Sequence, residues 1–270
     1  MSKKKKRDIP RFDTPIIETH CHLDYLEKNG LEDTLARCGE VGIERIITIA
    51  VSPDNLDLVL GLTRHAANIY GTQGVHPHEA ESYSADVEAQ IRRGAAEPKI
   101  LAIGEIGLDY FYDHADRGVQ RRVFEQQLAL ADELDLPVVI HTREADEDTR
   151  DILAGFSGRL RKRGVIHSFT SSPELAEYCL AEGFMLGFNG IATFSKAQNV
   201  RDVIALTPIE QILLETDAPY LTPVPYRGKP NAPFYLPFIA EQVAACKEMP
   251  VETLLQQAYQ NSLSLFFRDT

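Results

Sequence analysis

The stretch Ile16–Asp24, IIETHCHLD, starts as a buried strand and ends on two imidazoles. A strand turns alternate residues to opposite faces. On that period Ile16, Glu18, His20, His22 and Asp24 share one face, while Ile17, Thr19, Cys21 and Leu23 share the other. Cys21 is thereby aimed away from the histidines, toward a packed helix. A core strand has no packing use for two histidines at its end, so the pair points to a ligand.

This run is the first of eight. The others are ERIITIAV (44–51), IYGTQGVHP (69–77), ILAIGEIGLD (100–109), PVVIHTR (137–143), GVIHSFT (164–170), FMLGFNG (184–190) and ILLETDAPY (212–220). Helical patterns lie between them. In RGVQRRVFEQQLALADELD, Phe124, Leu128 and Ala131 recur on one face. SPELAEYCLAEG opens on a Ser cap with Pro at the first helical position and closes on Gly183. Two more helices are expected near 233–247 and 251–266. Strands alternating with helices predict a parallel sheet buried on both faces, either open or closed into a barrel. A chain of 270 residues suits the (β/α)8 TIM barrel, usually ~250 residues long.

The polar residues favour closure. Glu105 ends the apolar part of the fourth run, on a face with Leu101 and Ile103. His141 follows PVVI and shares a face with Val139 and Arg143. His167 follows GVI, and Asp217 follows ILLET on a face with Leu213 and Glu215. All stand near strand C-termini, where parallel barrels build their active sites. An open sheet of eight strands would be ~34 Å wide at ~4.8 Å spacing, too wide for these residues to meet.

Four histidines and two carboxylates form a mixed nitrogen and oxygen shell suited to hydrolytic divalent metals. They are more than one tetrahedral zinc needs. Two ions sharing a carboxylate would use all six, with Glu105 as the natural bridge. Such a pair, ~3.5–4 Å apart, lowers the pKa of a shared water toward ~7 and yields a bridging hydroxide. Asp217 would take or orient its proton.

Composition bounds the partners. The net charge of −12 argues against nonspecific coating of duplex DNA, leaving local cationic spots for phosphate. No apolar stretch approaches membrane-spanning length. Cys21, Cys38, Cys179 and Cys246 form no C-x-x-C pair and read as reduced thiols of a cytoplasmic protein. The start MSKKKKRDIP has no apolar segment behind it, so residues 1–14 are expected to be a flexible basic extension and 15–270 one barrel domain. No obligate protein partner is evident.

In order, ETHCHLD, GVHPHEA, AIGEIGLDYFYD, the Q…F…QLALADELDLPVVIHTREA stretch, HSFTSSPELAEYCLAEGF and LLETDAPYLTPVPYRGKPNAP resemble the TatD family of metal-dependent deoxyribonucleases. The resemblance covers the chain from Ile16 to its C-terminal helices and implies an amidohydrolase-like barrel. It implies that His20, His22, Glu105 and Asp217 hold one metal, and Glu105, His141 and His167 a second. Mg, Mn or Zn would each suit. The implied activity is phosphodiester cleavage, as a 3′–5′ exonuclease on single-stranded DNA ends.

Departures from the family pattern fall at Glu18, where Asp is usual, in SFTSS after His167, and at Ala232, where Glu is common. Glu18, with Asp24 and Glu215, is expected to support the ligands from behind, with Glu18 beneath the metal and Asp24 above it. His76 and His78 would bind substrate or a third ion, His78 being the better placed. Arg143 suits a phosphate clamp, and Arg227, Lys229 and Asn231 are candidates for holding a phosphate. An amide or ester hydrolase, such as an aminoacyl-tRNA deacylase, is the alternative. A noncatalytic scaffold would have no need of the intact shell.

Overall fold

The computed structural model describes residues 7–26 and 30–267. Its strands are β1 (Ile16–Cys21), β2 (Ile43–Thr48), β3 (Ile69–Gln73), β4 (Ile100–Asp109), β5 (Val138–Arg143), β6 (Gly164–Ile166), β7 (Met185–Phe188) and β8 (Ile212–Leu214). Neighbours in sequence are parallel neighbours in one sheet, in the order β1 to β8. The helices are α1 (Leu31–Glu40), α2 (Leu56–His65), α3 (Ala85–Ala95), α4 (Arg117–Leu134), α5 (Asp146–Gly155), α6 (Pro173–Ala181), α7 (Gln198–Leu206), α8 (Leu236–Cys246) and α9 (Val251–Phe266). All eight expected strands form, and β8 returns to β1. There the seam is closed by His22 N–H to Ala218 O (2.8 Å), Asp217 N–H to His20 O (2.9 Å) and the Thr19 hydroxyl to Leu214 O (2.9 Å). The barrel is the (β/α)8 type, as the alternation predicts.

Its apolar residues divide by strand face. Ile46, Ile106, Ile140 and Ile166 pack outward with Phe124 and Leu128 of α4 in the layer between sheet and helices. Ile47, Leu101, Val139, Val165 and Leu213 pack inside the barrel, and Leu265, Phe266 and Phe267 at the end of α9 close over them. Fully burying a side chain such as Phe124 contributes about 1.5–3 kcal/mol.

Local signals set several helix ends. Ser172 accepts from Leu175 N–H (3.2 Å), Pro173 opens α6, and Gly183 follows it at φ +86°. On α4, two buried glutamines interrupt the apolar stripe and grip loops above the barrel. Gln127 exchanges hydrogen bonds with both backbone groups of Val75, and Gln120 does so with those of Asp109. The helix thus holds Asp109 and Val75, the residue just before His76; Asp109 and His76 both line the cavity of the site.

Of the extension expected over 1–14, residues 1–6 lie outside the described residues. Arg7 pairs with Glu241, Asp13 and Thr14 bond Glu252, and Phe12 packs on the core. All four cysteines are free thiols. Among the described residues, no helix is long and apolar enough to cross a membrane.

Candidate metal centre

Two bulges aim the central residues. Along β1, Glu18 pairs with Ile46 and Cys21 with Thr48, so Thr19 and His20 on β1 oppose Ile47 alone on β2. Ile46 and Thr48 share the outer face, hence Glu18 and Cys21 do too, while His20 turns inward. Along β4, Gly104 pairs with Val139 and Ile106 with Ile140, leaving Glu105 as the extra residue. A Cβ on Gly104 would lie 2.6 Å from Val139 Cβ, so only glycine permits this approach. β5 and β6 pair without interruption, and His141 and His167 arrive by simple alternation.

Glu105 is the hub. Its Oε1 lies 2.8 Å from His167 Nε2, 3.1 Å from His141 Nδ1 and 3.4 Å from His76 Nε2, and its Oε2 lies 3.3 Å from His20 Nε2. Asp217 Oδ1 is 3.4 Å from His22 Nε2 and 3.7 Å from His20 Nε2. Asp217 adopts φ +56°, a left-handed conformation that Asp tolerates. The six expected ligands therefore meet. His20, His22 and Asp217 form one set close enough to share a cation, His20, Glu105 and His167 a second, and His76, Glu105 and His141 a third.

The site's electrostatics suit cations. Burial disfavours charging His141 and His167, but Asp109 and Glu105 outweigh it at His141, and Glu105 and Glu215 outweigh it at His167, so both pKa values are raised. Burial lowers His20, with the charge of His167 adding to it, and burial takes His76 to about 4. Burial also opposes the charge on Glu105, yet its histidines hold it well below the usual carboxylate range. Neither ring nitrogen of His20, nor Nδ1 of His22, has a hydrogen-bond partner among the described residues. Buried nitrogens left so are costly. Imidazole lone pairs facing carboxylates at these distances need a proton or a metal between them, so the donor set fits divalent cations.

Other expectations are corrected. Glu18 is not beneath the metal. The bulge turns it outward, where its Oε1 accepts His20 N–H and Thr216 N–H, each at 3.0 Å, and supports the seam through the backbone. Nor does Glu105 share a face with Ile103, which packs outward with the helices. Asp24 does not stand above the metal, because the strand has ended; it accepts from Asn55 Nδ2 at 2.9 Å. His76, not His78, is the nearer to Glu105. Asn231 is a buried strut rather than a phosphate holder, its amide donating to Thr216 O and Tyr220 O. Arg227 and Lys229 are exposed and do not line the cavity over the cluster; Arg227 lies on Phe194, 4.0 Å from its ring centre. Glu215 Oε1 lies 3.5 Å from His167 Nδ1 and accepts Ser168 N–H at 2.6 Å.

Asp109 escaped the sequence reading. It is fully buried, and its Oδ2 faces His78 Nε2 (2.9 Å) and His141 Nε2 (3.0 Å), while its Oδ1 accepts Phe111 and Tyr112 N–H. Counting by twos onward from Glu105 would have found it. The cavity over the cluster, about 740 Å³, is lined by Tyr25, His78, Asp109, Tyr112, His114, Arg143, Asp217 and Tyr220 among others.

The family model described as "TatD related DNase" matches residues 17–267. An uncharacterized metal-dependent hydrolase, YabD of Bacillus subtilis, is 36% identical over 93% of this chain and 98% of its own. A 3'-5' ssDNA/RNA exonuclease TatD of Erwinia amylovora is 39% identical over 87% of this chain and 93% of its own. The crystal structure of YJJV, a TatD homolog from Escherichia coli, superposes with a TM-score of 0.88 at 32% identity, covering 93% of this chain and 97% of that one.

Proposed function

The chain belongs to the TatD-related DNase family of metal-dependent hydrolases, and from that premise we propose that it removes nucleotides from the 3′ ends of single-stranded DNA. The observation that carries this reading is Glu105, ringed by four imidazole nitrogens within 3.4 Å beneath an open cavity. His20, His22, Glu105 and Asp217 would hold one divalent ion, and Glu105, His141 and His167 a second, with His76 placed to join the second or hold a third. Mg, Mn or Zn suits these donors. When bound, the ions supply Lewis-acid activation of water and of the phosphoryl oxygens.

Asp217 is the base. Burial raises its pKa, but His22 and His20 outweigh it and keep the carboxylate ionised at neutral pH. Its side chain is 14% exposed against 3% for Glu105, so it can take the proton of an attacking water from the cavity side. Arg143, its guanidinium 4.1 Å from the Phe111 ring centre, makes no ion pair among the described residues and is free to meet a phosphate at the mouth. The named activity of the Erwinia amylovora relative supports the 3′–5′ direction and the single-stranded substrate.

The test is purified protein reconstituted with Mg²⁺, Mn²⁺, Co²⁺ or Zn²⁺ on 3′-labelled single-stranded DNA, with aminoacyl-tRNA as the comparison ester. Stepwise loss of the 3′ label is expected. If no strand is shortened while aminoacyl-tRNA is deacylated, the nuclease reading fails.

A further inference from the structure

Aromatic rings crowd the mouth of the cavity. The large apolar side chains exposed among the described residues are Tyr25, Leu58, Phe111, Tyr112, Leu206 and Tyr220. Scattered exposed apolar residues are ordinary on a soluble protein. Here, however, the four aromatic ones all stand on the loops that frame one site, each 46–53% exposed.

They form two groups on opposite sides. Tyr25 follows β1 and Tyr220 follows β8; their ring centres are 6.3 Å apart at 74°, and Tyr25 stacks on His22 at 5.3 Å. Across the barrel, after β4, three strands from β1 and four from β8, Tyr112 lies nearly parallel to His114, 5.8 Å and 12° apart. The Arg143 guanidinium covers the rings of Phe111 and Tyr112, 4.1 and 5.0 Å from their centres. Asp109 anchors this second group by accepting the backbone N–H groups of Phe111 and Tyr112 while it faces His141. The rings are thus held in fixed relation to the cluster. Glu105 and Asp217 line the same cavity as Tyr25, Tyr220, Tyr112 and His114.

Flat faces with polar edges suit planar heterocycles rather than alkyl chains. Stacking on such faces is tolerant of base identity, because every base has a π-face. Bases paired within a duplex are already stacked on one another. We propose that these groups are two base-stacking subsites flanking the scissile phosphodiester, one on Tyr25 and Tyr220 and the other on Tyr112 and His114. The proposal rests on the phosphodiester reading above. It adds that unpaired bases on both sides of the bond, and not the backbone alone, hold the strand.

The experiment compares a single strand with an otherwise identical one whose last two nucleotides lack their bases. Loss of a stacked base is expected to raise KM about tenfold in the wild-type enzyme. That ratio should fall several-fold in the double variant Tyr25→Leu/Tyr220→Leu, which keeps bulk and loses the π-faces, to what the Tyr112 and His114 subsite alone contributes, and should persist in Tyr25→Phe/Tyr220→Phe. Equal KM values for the two strands in the wild type overturn the stacking subsites and leave the nuclease reading standing. If no strand is cleaved with any metal, that reading fails separately, and equilibrium binding of the two labelled strands decides. Base-dependent binding that the Leu variant weakens supports the subsites; equal binding of the two strands by the wild type overturns them. If the Leu variant does not fold, as judged by its thermal melt, the wild-type ratio and the Phe variant decide.

Discussion

β1 and β4 deliver their candidate ligands through bulges, whereas β5 and β6 deliver theirs by unbroken alternation. The regular strands need only a histidine two places beyond an inward valine, as Val139 precedes His141 and Val165 precedes His167. The bulged strands do something alternation cannot. At β4 an unpaired residue leans into the barrel, and Glu105 reaches histidines carried on β1 and β5 and in the segments after β3 and β6. At β1 the extra residue separates Glu18 from His20, so a carboxylate two residues from a ligand serves the seam instead of the site. A bulge thus converts a strand from a wall into a bracket.

The largest test of that contrast removes the bracketed carboxylate. Glu105→Gln should lower kcat/KM on single-stranded DNA by about 10³-fold, with reduced bound metal by elemental analysis. Activity within tenfold of wild type would dethrone Glu105 as the hub. Next, Gly107→Ala attacks the backbone beside the β4 bulge. Gly107 holds φ +136°, and an added Cβ would collide with the His141 carbonyl. A loss of about 3 kcal/mol or more in denaturant unfolding is expected, and an unchanged midpoint would mean the strand pair is adaptable.

Asp109→Asn probes how the regular side is held. It keeps the shape but loses the charge that faces both His78 and His141, so metal affinity should fall about 10–100-fold. A titration that matches wild type would leave Asp109 as loop support only. Glu18→Gln should give the smallest effect. Burial pushes the Glu18 carboxyl up to about 8, above its unfolded value, so the folded state keeps a proton that the unfolded chain has lost. Stability from this group is present below the unfolded pKa of ~4.3 and declines as pH rises toward 8. In metal-free protein, the melting temperature of Glu18→Gln should therefore fall less between pH 5 and pH 8 than that of wild type, by several degrees. A steeper fall in the variant would refute the buried, protonated carboxyl.

The strands and α4 were legible because burial imposes a period, two for a strand and 3.6 for a helix, and Phe124, Leu128 and Ala131 keep to theirs. The six candidate ligands, which the fold brings together, were legible as polar residues at the ends of apolar runs. Counting by twos failed at Glu18 and at Ile103, since an unpaired residue leaves no mark on hydropathy. It stopped short at Asp109, whose run ends in a carboxylate that resembles an ordinary loop residue. Asn231 resembled a substrate contact for the opposite reason: its loop is rich in Pro and charge, yet its amide is spent on Thr216 and Tyr220.

The chain's own sequence determined the number and kind of elements, their parallel order and the chemical character of the site, because these follow from local periodicity and residue type. It took the folded barrel to settle which face of β1 carries Glu18, that His76 rather than His78 lies beside Glu105, and that aromatic loops from opposite sides of the barrel overlook one cavity. Those facts depend on strand register and ring closure, which join residues some two hundred positions apart.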